Sequence, residues 1–169
     1  MRRILALPLA LATAVSVWTQ NIDRHFPRFN EYPAGDVFKG KPVPPKLVRP
    51  GDRLFSAKIR EGAAAGPNFA GHLSIADWGC GTSCVSIAVV DAETGKVYPG
   101  PFGIPGYGSV MTYADVSESN YEPLSYTLNS RLLIVRGCPE DENCASYFYE
   151  WRRTSFRQLR KIPAAPIPH

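Results

Sequence analysis

The sequence predicts a mainly β (α+β) fold: an antiparallel sheet, β-sandwich or partly open barrel with one N-terminal helix packed on it. Three observations predict it. Short apolar and β-branched runs recur from Asn68 to Ile162 with turn residues between them. One earlier stretch, Asp52 to Ala65, carries helical spacing. Four cysteines stand in two close pairs, each where one expected strand ends and the next begins.

In chain order, residues 1–14 read as a signal peptide. Arg2 and Arg3 are a positive start, Ile4 to Leu11 a short apolar core, and Ala12-Thr13-Ala14 a small-residue cleavage site. The apolar run is too short for a membrane helix, which needs about 18 residues. Export to the periplasm or the medium follows as the expected location. Loss of the leader leaves about 155 residues, enough for one domain, and lowers the formal net charge from +4 to about +2. A balance that small does not favour nucleic acid or an anionic membrane as partner.

Residues 15–51 are expected to form a proline-rich arm, with PVPPKLVRP extended and polyproline-like. The arm's aromatic residues Phe26, Phe29, Tyr32 and Phe38 are expected to pin it to the domain. Residues 52–162 are expected to be a single β-rich domain, and 163–169 a disordered tail.

Within the domain, Phe55, Ile59 and Ala63 form an i, i+4, i+8 stripe. Asp52 is a fitting N-cap and Gly66-Pro67 a strong stop, so a helix is expected although Gly62 disfavours it by roughly 1 kcal/mol. Strands follow at Phe69 to Trp78 and at Cys84 to Val90, with AETG turning into Lys96-Val97-Tyr98. PGPFGIPGYGSV, Pro99 to Val110, is too rich in glycine and proline for a central strand and reads as a long surface loop. Leu124 to Leu128 is a further strand. Leu132 to Arg136, Ser146 to Trp151 and Phe156 to Ile162 then read as a meander.

In an oxidising compartment Cys80, Cys84, Cys138 and Cys144 are most simply two disulfides. Local pairing is geometrically easy at hairpin ends, and pairing across the hairpins remains open, because four cysteines allow three connectivities. A four-thiolate zinc site, or one using His72, is the competing reading, but the spacing is loose for it. Cys80 and Cys84 are one residue too far apart for a thioredoxin-type pair. Neither metal nor cofactor is therefore expected.

His25, His72 and His169 are the only histidines. The first is in the arm and the last ends the chain, so histidine chemistry would have to use His72. Ser83, Ser86 and Ser109 with Asp77, Asp91 or Asp115 form no recognisable triad, and Asp115, Glu118 and Glu122 suggest no catalytic carboxylate pair. No catalytic residue is assigned; His72 is the minority candidate.

The candidate partner-binding residues are Glu140, Asp141 and Glu142, crowded between Cys138 and Cys144; Phe102 and Tyr107 in the Gly/Pro-rich loop; and Arg152 and Arg153, which open the basic run WRRTSFRQLRK. A clamped loop loses little entropy on docking. Basic positions on an edge strand also suppress aggregation. The resulting expectation is a non-catalytic binding protein with a protein partner in the cell envelope, possessing no membrane-inserted segment after processing. The alternative is a small hydrolase or metal-binding protein using His72 beside the Gly/Pro-rich loop.

Residues 66–98, GPNFAGHLSIADWGCGTSCVSIAVVDAETGKVY, resemble a group of small exported bacterial proteins of unassigned function. The shared features are the Phe-Ala-Gly-His segment, the Trp-Gly-Cys-Gly loop and the Asp-x-x-Thr-Gly-Lys turn. The resemblance implies no activity. CPEDENC is also similar in architecture to the disulfide-closed loop that some periplasmic lysozyme inhibitors insert into an enzyme cleft. That analogy implies a mode of binding, that of an inhibitor or immunity protein against an envelope-degrading enzyme.

Overall fold

The computed structural model describes residues 25–81, 84–101, 108–111, 122–139 and 144–163. Among the described residues a single 3-10 turn (Phe29–Glu31) comes first, then two short α-helices, α1 (Pro50–Leu54) and α2 (Ser56–Ala64). Eight strands follow: β1 (Leu73–Gly81), β2 (Cys84–Asp91), β3 (Val97–Pro99), β4 (Gly108–Met111), β5 (Leu124–Ser125), β6 (Leu132–Pro139), β7 (Ala145–Arg152) and β8 (Ser155–Pro163). The fold is mainly antiparallel β, and the expected meander is β6–β7–β8.

β1 lies along one edge of β2, while β3 and β4 share the other edge in succession. β7 lies along one edge of β6, and β5 shares the other edge with β4. β4 is thus the hinge between two sheets, and only Val110 and Met111 pair with β6. This corrects the reading of Pro99 to Val110 as pure loop. The strand here is only four residues long, and its single glycine sits at the start, opposite Ile87.

The inner faces of the two sheets share one core. Leu73, Ile75, Ile87 and Val89 meet Leu133, Val135, Tyr147 and Trp151 around the fully buried Phe69. The outer faces are covered too. Helix α2 lays Ile59 and Ala63 over Trp78, Ala88 and Val90. On the other sheet, Phe29 and Tyr32 of the arm cover Leu132, Ile134 and Phe148. Burial on both faces explains why these strands read as nearly continuous apolar runs instead of alternating ones.

The helical stretch begins earlier than expected and is broken once. Pro50 occupies the first turn, where its missing N–H costs nothing. Asp52 is therefore not the N-cap; its carboxylate reaches back to accept from the Arg49 backbone N–H and guanidinium. Phe55, at φ −105°, joins the two helices and stacks on Trp78 with ring centroids 5.0 Å apart. α2 stops as expected, with Gly66 at φ +90°.

β1 begins at Leu73 and not at Phe69, because residues 69–72 form a tight reversal. Phe69 and Leu73 exchange backbone hydrogen bonds, and Ala70 and Gly71 take φ of 48° and 83°. Asn68 then caps the outer edge of β1: its amide donates to the Ile75 carbonyl and accepts from the Ile75 N–H. An edge closed in this way offers no template there for another strand.

Both disulfides are local, Cys80–Cys84 and Cys138–Cys144, with Cα–Cα distances of 5.1 and 4.0 Å. Among the described residues no helix is long and apolar enough to cross a membrane. Residues 1–24 and 164–169 lie outside the described residues, and with them the expected signal peptide and all of the expected tail but Pro163, which pairs with Ala145 and ends β8 as strand instead of tail.

Candidate functional site

The arm docks on two turns, and the docking builds a cleft. The first turn is the reversal at residues 69–72. Phe38 donates its N–H to the Gly71 carbonyl, and a Cβ on Gly71 would lie 2.8 Å from the Asp36 carbonyl oxygen. The second is the β2–β3 turn. There the Asp91 carboxylate accepts from the Glu93 and Thr94 N–H groups, and Gly95 takes φ +72°. Val43 and Lys46 donate to the carbonyls of Ala92 and Gly95. The turns are themselves tied by the Ala92 N–H to the His72 carbonyl, at 2.9 Å. The Phe-Ala-Gly-His and Asp-x-x-Thr-Gly-Lys segments therefore serve as the scaffold that seats the arm.

Earlier in the arm, the carbonyls of Phe29 and Tyr32 accept from the buried Ser130 hydroxyl. Arg131 donates from Nε to the Pro33 carbonyl and from a terminal nitrogen to Glu150 Oε1. Glu150 is only 3 % exposed yet faces three guanidinium groups, those of Arg131, Arg152 and Arg157, at 2.5, 2.7 and 3.2 Å. Burial alone pushes the Glu150 carboxyl up. Hydrogen bonds from Arg152 and Arg131, with their positive charge, outweigh that and hold it below the ordinary carboxylate range.

These segments enclose a cleft of about 570 Å³, within the usual size range of small-ligand sites. Asp36, His72 and Glu93 line it from the arm and the two turns, and Arg131, Arg152 and Arg153 line it from the start of β6 and the β7–β8 hairpin. Arg153 holds φ +57° at the first turn position of the β7–β8 hairpin, where glycine is the ordinary choice. A non-glycine residue in that region is uncommon and costs free energy.

The expected site residues divide sharply. His72, Arg152 and Arg153 meet in the cleft, although His72 sits in a turn and not on a strand. The four cysteines are oxidised. Glu140, Asp141, Glu142, Phe102 and Tyr107 lie outside the described residues. Most of the basic run is committed internally: Arg152 and Arg157 to Glu150, Arg160 to the His25 carbonyl and the Phe26 ring, and Lys161 to the Tyr147 ring. Among the described residues no three His, Cys, Asp or Glu side chains are grouped to hold a metal ion. Asp36, Glu93 and Arg131 went unnoticed in the sequence, since they converge from three distant segments with no local motif.

No protein-family model, no curated protein and no solved structure matches this chain.

Proposed function

We propose that the protein is an exported, disulfide-stapled, non-catalytic binding protein that docks on a protein partner in the cell envelope, as an inhibitor or immunity protein toward an envelope-degrading enzyme. The observation that carries this reading is the Cys138–Cys144 disulfide. It brings the ends of the loop to a Cα–Cα distance of 4.0 Å, and the closed segment contains Glu140, Asp141 and Glu142. Three like charges held on a short closed loop favour a basic partner surface and lose little freedom when they dock. Two disulfides with no free cysteine among the described residues fit an oxidising compartment, and the leader-like residues 1–14 support export. The resemblance of residues 66–98 to small exported bacterial proteins agrees with this, because those residues hold the scaffold together.

The experiment is capture from an envelope extract by the full chain and by a Glu140→Ser/Asp141→Ser/Glu142→Ser variant. Capture of a discrete protein should fall at least about tenfold with the variant, while thermal unfolding stays unchanged. Equal capture by both removes the loop from the reading.

A second reading, a small hydrolase using His72, is favoured by the place of His72 in the cleft. It predicts an activity lost in His72→Ala; an activity that His72→Ala leaves unchanged counts against it.

A further inference from the structure

The cleft gathers several charged side chains that the fold leaves without an internal partner. Some charged groups elsewhere pair within the chain: Glu31 meets His25, Asp52 meets Arg49, Lys58 meets Glu61, and Glu150 meets three arginines. In the cleft, the side chains of Asp36, His72, Glu93 and Arg153 make no hydrogen bond or ion pair to any described residue. Arg152 spends only its Nε on Glu150, which leaves its terminal nitrogens for a ligand. Charge is also sorted by position. The carboxylates come from the arm and the β2–β3 turn, the guanidinium groups from the β7–β8 hairpin and Arg131 beside it.

We propose that this cleft binds a zwitterionic ligand of the short-peptide class, with its carboxylate on Arg152 and Arg153 and its ammonium on Asp36 and Glu93. A planar guanidinium fork matches a carboxylate in two parallel hydrogen bonds. The Glu150 carboxylate fixes Arg152 from below, so little order is lost when the ligand arrives. An anion alone would leave Asp36 and Glu93 facing it as like charges; a cation alone would meet Arg153. His72 also lines the cleft. This inference is independent of the Cys138–Cys144 loop, and its ligand is small where the loop's partner is a protein.

The test is a nuclear magnetic resonance titration of the full chain with an equimolar library of free tripeptides, and with the same library N-acetylated or C-amidated. Saturable shifts of the His72 and Trp151 ring signals are expected with the free library. Blocking either end should weaken them by at least about tenfold, the effect of one lost charge-assisted contact. In Arg153→Gly the loss on amidation should shrink; in Asp36→Asn/Glu93→Gln the free and acetylated libraries should bind alike. Absence of shifts in the cleft overturns the proposal. So does equal binding of the blocked libraries, or loss on amidation alone, which would make the site one for anions only.

Discussion

Gly62 of α2 rests so closely on β1 that a Cβ at position 62 would lie 2.4 Å from the Cβ of Ala76. That contact reverses what helix propensity says about the position. In an isolated helix Gly62→Ala would stabilise by roughly 1 kcal/mol. In this fold the added methyl must push α2 off Trp78 and Ala88, and overpacking of this kind costs about 1–3 kcal/mol. Chemical denaturation of Gly62→Ala should show a net loss, and Gly62→Ala/Ala76→Gly should recover part of it.

The Glu150 cluster makes stability depend on acid in a defined direction. Its folded pKa is lower than the ordinary value of 4.5. Its contribution is therefore complete above about pH 4.5 and is lost as pH falls through the folded pKa. Glu150→Gln should lower stability by about 2–3 kcal/mol at neutral pH, since three guanidinium groups lose a buried partner. The same variant should flatten the acid limb of a stability-against-pH curve.

Alkali acts through the core. Burial, then the neighbouring Tyr147, pushes the Tyr149 phenol from 10 up to about 12. Between those values the unfolded chain loses a proton that the folded chain keeps, so stability should fall as pH rises above about 10. Tyr149→Phe should make that alkaline limb shallower. The share of tyrosinate absorbance that Tyr149→Phe removes should appear with unfolding and not before it.

Arg153 should trade stability against binding. Its φ of +57° suits glycine, so Arg153→Gly should raise stability by up to about 1 kcal/mol. A loss of stability would show that Arg153 holds the hairpin and is not kept for the cleft.

How much of this was legible beforehand depended on whether the signal was local. The β6–β7–β8 meander could be read because each strand is followed closely by its own turn. The helix stripe of Phe55, Ile59 and Ala63 was legible for the same reason, as was the stop at Gly66. β4 was not, because its place between β2 and β6 is set by pairing with distant strands, while its flanks are rich in glycine and proline. The start of β1 was missed because Phe69 and His72 continue an apolar–polar alternation. Only the positive φ of Ala70 and Gly71, needed to receive the arm, turns them into a reversal. The basic run could be seen, but not that Glu150 and the arm's residues satisfy most of it. Of the cleft, the sequence showed His72, Arg152 and Arg153 but nothing to bring Asp36, Glu93 and Arg131 beside them.

The central claim is that the protein acts by docking the acidic loop on a protein partner. The most direct measurement is photo-crosslinking in cells, with a photoreactive residue in place of Asp141 and, as control, in place of the exposed Lys58. A discrete protein adduct from position 141, absent from position 58 and lost in Cys138→Ser/Cys144→Ser, is the predicted result. No adduct at position 141, or the same adducts from both positions, would contradict it.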